Sequence, residues 1–132
     1  MYELRSACFI AFVALFFGSG TCQTIILQGN SGVLLGNSYT FTANSTSYIN
    51  STQIDWYFGS VKLTSNGLSL TSAKYSTSYT NNNTLFALTV FSVALSDYGT
   101  YSLVYSNLPI GVFTFSTNLV QLTTTTSKFK II

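Results

Sequence analysis

The chain has 132 residues, of which 16% are aromatic and only 6% charged, with no histidine and a formal charge of +2. It is long enough for one domain and too hydrophobic to be disordered. Its charge is too small to imply an anionic partner.

Glu3 and Arg5 flank the start, and an apolar run from Ala7 to Phe17 follows, leading into Gly18, Ser19, Gly20, Thr21 and Cys22. The run is shorter than the roughly 20 residues that cross a bilayer, and the pattern is that of a secretory signal peptide over residues 1–22. An uncleaved N-terminal anchor is the competing reading. Cleavage after Cys22 leaves Gln23 as the new terminus, with a cut after Gly20 as the alternative. Either way Cys8 is removed and Cys22 lies at or beside the cut, so no cysteine in the body of the chain remains for a disulfide. The oxidising compartment would permit one.

From Gln23 onward, short alternating runs rich in Val, Thr, Tyr and Phe are separated by Asn, Ser, Gly and Thr clusters, without a helical period. The expected strands are Thr24–Gln28, Gly32–Leu35, Ser38–Ala43, Gln53–Phe58, Ser60–Leu63, Leu68–Leu70, Lys74–Tyr79, Leu85–Val90, Gly99–Tyr105 and Val112–Leu122. Turn signals fall at Gly29-Asn30, Gly36-Asn37, Asn66-Gly67, Asn81-Asn82-Asn83 and Pro109. The pattern predicts an all-β, antiparallel two-sheet fold over residues 23–123. Residues 124–132 read as a tail or the start of a stalk. No run after Gln23 is long and apolar enough to insert into a membrane.

Chemistry is scarce. Without the leader, the acids are Asp55 and Asp97 and the bases Lys62, Lys74, Lys128 and Lys130. That set holds neither a nucleophile–base arrangement nor a metal-ligand cluster, so no enzyme, cofactor or metal is expected. The scattered lysines form no basic stripe, which argues against nucleic acid. Three N-glycosylation acceptor motifs stand out: Asn44-Ser45-Thr46, Asn50-Ser51-Thr52 and Asn82-Asn83-Thr84. Asn44 and Asn50 are expected in one loop and Asn82 in another, both at the same end of the molecule.

Leu88-x-Val90-x-x-Val93 followed by Asp97-x-Gly99-x-Tyr101 resembles the passage from strand E to strand F in immunoglobulin superfamily domains. Gly36-x-x-Tyr39-x-Phe41-x-Ala43 resembles strand B, with Ala43 at the first cysteine position, and Trp56 resembles the core tryptophan of strand C. Leu103 stands at the second cysteine position. Lys74-Tyr75-Ser76 resembles the Arg-Phe-Ser start of strand D in variable-type domains. The resemblance implies a Greek-key sandwich of variable type lacking its inter-sheet disulfide. It further implies a tyrosine corner at Tyr101, a tight approach at Gly99 and a Lys74–Asp97 ion pair. Strand G departs from the family, because 112–122 lacks its Phe-Gly-x-Gly bulge.

With Trp56 and Leu103 inward, alternation turns Asp55, Tyr57, Ser102 and Val104 outward. Val61 or Leu63 on the next strand, and part of 105–113, extend that patch. A low-charge face with an exposed tyrosine suits protein recognition. The chain is similar to the membrane-distal domains of some invertebrate cell-recognition and allorecognition receptors. The implied function is a secreted or cell-surface, non-catalytic module for adhesion or self-recognition, with a protein partner that is a like copy. A soluble immune or pathogen-binding effector is the alternative, and a packing domain within a longer receptor is a third reading.

Overall fold

The computed structural model describes residues 5–10, 22–107 and 111–123, with side chains from Thr24 onward. Among these residues twelve strands run in chain order: β1 (Arg5–Ile10), β2 (Cys22–Leu27), β3 (Ser31–Leu34), β4 (Tyr39–Ser45), β5 (Ile54–Phe58), β6 (Val61–Lys62), β7 (Thr64–Ser65), β8 (Leu68–Ser69), β9 (Tyr75–Thr80), β10 (Leu85–Val90), β11 (Gly99–Asn107) and β12 (Gly111–Leu122). They form one sheet ordered β1-β2-β4-β10-β9, a second ordered β3-β12-β11-β5-β6, and the small hairpin β7-β8. Among the described residues, the helical elements are two single 3-10 turns, at Ser51–Gln53 and Leu95–Asp97.

All ten expected strands are present with ends shifted by a few residues at most, and Leu85–Val90 is unchanged. Two strands were not expected. β7 is two residues long, too short to show a period. β1 lies within the segment read as a leader and pairs antiparallel with β2 over six residues. The remainder of that segment, the Pro109 turn and residues 124–132 lie outside the described residues.

The first edge of the sandwich shows why the sequence splits there. β2 belongs to the first sheet, whereas β3 runs parallel to β12 in the second, with Leu119 opposite Ser31. The chain crosses between sheets over Gln28 to Asn30. Gln28 stabilises that crossing: its Oε1 accepts from Thr42 N at 2.9 Å and Thr42 Oγ1 at 3.1 Å, and its Nε2 donates to Ser31 Oγ and Tyr39 Oη. A buried amide held by several partners bears little desolvation cost.

The two sheets meet over Ile25, Leu27, Phe41, Ala43, Trp56, Phe86, Leu88, Val90, Tyr101, Leu103 and Leu119, all essentially inaccessible. Ala43 and Leu103, at the positions where the resemblance expects cysteines, are both wholly buried in opposite sheets. Trp56, Phe41, Tyr101 and Phe58 form a chain of rings with successive centroids 6.4, 4.6 and 4.7 Å apart. Burying each such side chain contributes about 2–3 kcal/mol, and tilted ring pairs add about 0.5–1.5 kcal/mol. Packing, without a covalent link between Ala43 and Leu103, joins the sheets there.

The turn before β11 follows the expected design. Tyr101 Oη donates to Asp97 O at 2.6 Å, and Lys74 Nζ stands 2.5 Å from Asp97 Oδ2. Burial raises the Tyr101 hydroxyl well above its ordinary pKa, with Tyr75 and Asp97 adding to the effect. Val93 is buried and closes that end of the core. Gly99 adopts φ 149°, and a Cβ there would lie 3.0 Å from Phe58 Cε1, so a side chain would strain the backbone and crowd that ring.

Candidate functional site

Outward-facing residues of the second sheet form cross-strand rows. The register places Val104 beside Asp55 and Thr114, Ser102 beside Tyr57 and Ser116, Thr100 beside Asn118, and Ser106 beside Val112. Ser102 Oγ and Ser116 Oγ are hydrogen-bonded at 2.8 Å, as are Thr100 Oγ1 and Asn118 Oδ1 at 2.8 Å. Paired hydroxyls and amides satisfy each other, and the β11 and β12 residues of these rows carry no charge. Tyr57 and Val104 are half-buried there, Thr100, Ser106 and Thr114 are exposed, and Val112 is 59% exposed near the β11–β12 end.

Several residues expected on this face sit elsewhere. Leu63 is core, 4% exposed, with its N–H donating to Trp56 O. Val61 is exposed, but it pairs with Phe58, whose ring packs inward on Tyr101, so Val61 lies on the opposite side of the strand from Tyr57. Lys62, paired with Tyr57, takes the outward place. Ser102 points outward yet is covered, 9% exposed. Tyr105 is also core, and burial raises its hydroxyl pKa despite a hydrogen bond with Asn107.

Asp55 is not an open surface carboxylate. Its Oδ1 accepts from Thr64 Oγ1 at 2.8 Å and from Gly67 N at 3.2 Å, while Oδ2 lies 3.6 Å from Lys62 Nζ. Gly67 sits in the tight turn of the β7–β8 hairpin, with Asn66 at φ 52° and Gly67 at φ 82°. Its carbonyl accepts from Thr77 Oγ1 at 2.9 Å and from Tyr79 Oη at 2.6 Å. The hairpin thus links β5 of one sheet to β9 of the other through a single glycine. Burial pushes the Tyr79 hydroxyl up to about 12, against the lowering effect of Thr77 and with a further raise from Asp55. The only sequence sign of this clamp was the Asn66-Gly67 dipeptide.

Asp55 and Asp97 both hold backbone N–H groups, Gly67 and Ala94 respectively. Among the described residues, no group of three or more His, Cys, Asp or Glu is placed to bind a metal. No described helix is long and apolar enough to cross a membrane.

Of the three acceptor asparagines, Asn50 and Asn82 lie in the connections after β4 and after β9. Those connections are neighbours, since Ile49 N donates to Asn83 O at 3.1 Å. Asn44 departs from expectation. β4 continues to Ser45 because it pairs with both β2 and β10, so Asn44 is a strand residue on the outer face of the first sheet.

No family model matches the chain, and no curated protein does either. Solved structures do. The structure of the RIG-5 IG1 homodimer superposes with a TM-score of 0.60 at 17% identity, covering 72% of this chain and 91% of that one. The Ig1 domain of mouse SynCAM 2 superposes with a TM-score of 0.59 at 21% identity, covering 71% and 91%. Strand order, split first strand, tyrosine corner and superposition agree on a variable-type immunoglobulin fold.

Proposed function

We propose that this variable-type immunoglobulin domain is a non-catalytic extracellular recognition module that binds a second copy of itself through the outer face of β12, β11 and β5. The observation that carries the reading is the absence of charge from the cross-strand rows between Thr100 and Ser106 and between Val112 and Asn118. In a two-fold interface each residue meets the same surface on its partner, so a charge near the axis faces its own like. A face of hydroxyls, Tyr57 and Val104 has no such conflict. The charges at its margin, Lys62 and Asp55, are of opposite sign and can be matched across the axis. The RIG-5 IG1 domain, which shares this fold, is a homodimer.

Sedimentation of the purified protein and aggregation of beads coated with it test the reading. Self-association is expected, and Val104→Asp should abolish it by placing two carboxylates near the axis, with Trp56 fluorescence unchanged. Tyr57→Ala should weaken it. A folded protein that stays monomeric and leaves beads dispersed would sink the homophilic reading. If that monomer bound microbial glycans or a foreign protein, a soluble effector would take its place.

A further inference from the structure

We infer that Asn44 carries an N-linked glycan that covers the outer face of the first sheet, leaving the second sheet as the bare one. On that face Asn44 lies in a row with Ile26 on one side and Leu85 and then Thr80 on the other. Ile26 and Leu85 are half-buried and Asn44 is exposed. The rows below contain Thr42, Ala87 and Ser78, then Thr40, Thr89 and Ser76, none of them charged. A flat sheet face that is uncharged and partly apolar is an association liability unless something covers it. A sugar on Asn44 stands where its apolar ring faces can rest on Ile26 and Leu85.

The chemistry of the acceptors fits. Among the described residues, the side-chain amides of Asn44 and Asn82 make no hydrogen bond. Asn50 uses only Oδ1, which accepts from Thr52 N at 3.0 Å and Thr52 Oγ1 at 2.9 Å. In the transfer, Nδ2 bonds to the first sugar carbon of a lipid-pyrophosphate-linked oligosaccharide. The bond from that carbon to the pyrophosphate breaks, and the amide proton leaves with it. All three Nδ2 groups are open to that bond without disturbing the fold.

The distribution is one-sided. The acceptors lie on the first sheet and on the adjoining end of the sandwich. Asn107 and Asn118, both on β11 or β12, lack a hydroxyl residue two positions on. The inference rests on entry into the secretory route, which the proposed function also requires.

The test expresses the full chain in a secreting eukaryotic cell and removes glycans enzymatically in heavy-oxygen water, which labels each occupied asparagine as aspartate. Label at Asn44 is expected, and Thr46→Ser should keep it while Asn44→Gln loses it. In a Val104→Asp background, which silences the second sheet, stripping the glycan should raise the apparent mass of the protein in solution. A secreted protein unlabelled at Asn44 overturns the modification and leaves the proposed function standing. Label without any change in apparent mass overturns the shielding. A chain that stays in the cytosol with residues 1–22 intact overturns both readings together.

Discussion

Lys74 Nζ and Asp97 Oδ2, 2.5 Å apart, join the start of β9 in one sheet to the turn that feeds β11 in the other. Asp97 is nearly buried, and the same oxygen accepts from Ala94 N at 2.7 Å, while Lys74 also donates to Ser92 O. The two sheets are therefore locked at this end by one carboxylate that serves an ammonium and a backbone N–H. Asp97→Ala removes both and should cost about 2–4 kcal/mol. Asp97→Asn keeps an acceptor for Ala94 and should cost about 1 kcal/mol less. Denaturant midpoints followed by the fluorescence of Trp56, the chain's single tryptophan, would measure the difference.

Ala43 and Leu103 face the same core from opposite sheets, at positions where the resemblance places a bonded cysteine pair. Ala43→Cys combined with Leu103→Cys should close a bridge on oxidation. Loop closure of this length contributes about 4 kcal/mol, and losing the buried leucine takes back about 2 kcal/mol. A net gain of about 2 kcal/mol should appear in the oxidised protein and vanish on reduction. Free thiols in the folded double variant would mean that the two positions do not face each other.

Landmarks that depend on local chain and burial were legible: Trp56, Val93, Tyr101, and the partnership of Lys74 with Asp97. Each sits in a continuous strand or its adjoining turn, where period-two alternation holds. The reading failed where the chain leaves the sheet. Between β6 and β8 the strands are only two residues long, so alternation carried across Leu63 assigns faces wrongly. Nor does alternation say what covers an outward side chain, so it turns Ser102 and Asp55 outward without showing that Ser102 is covered and Asp55 bonded. A strand expected to end at Ala43 puts Asn44 in a loop, and the sequence gives no sign that pairing with β2 extends β4 to Ser45.

Alkaline pH should weaken the fold through Tyr79. Its folded pKa, about 12, lies above its ordinary value of 10.0 because burial disfavours the phenolate. A raised folded pKa means that the stabilisation is complete below pH 10.0 and is lost as pH rises toward about 12. Tyr101, raised in the same direction, adds to the fall. Denaturant midpoints should therefore decline across this window. Tyr79→Phe, less stable at neutral pH for want of its bond to Gly67, should show a shallower decline. Parallel declines in both proteins would remove Tyr79 as a cause.

The glycine that Tyr79 holds leaves no room for a side chain. Gly67 sits at φ 82°, and a Cβ there would meet Ser51 O at 2.4 Å, a backbone atom that cannot swing aside. Gly67→Ala should therefore cost about 1–3 kcal/mol from backbone strain and displace the hairpin. Displacement would release Asp55 Oδ1 on one side and the Thr77 and Tyr79 hydroxyls on the other. Asp55→Asn tests the same clamp without touching the turn. It keeps an oxygen for Gly67 and Thr64 but loses the ion pair with Lys62, which is partly exposed and contributes at most about 1 kcal/mol. The expected order is thus a large loss for Gly67→Ala and a small one for Asp55→Asn, with faster amide exchange over Thr64–Ser69 in the first alone. Equal losses would mean that the charge of Asp55, rather than the geometry of Gly67, holds the hairpin between the sheets.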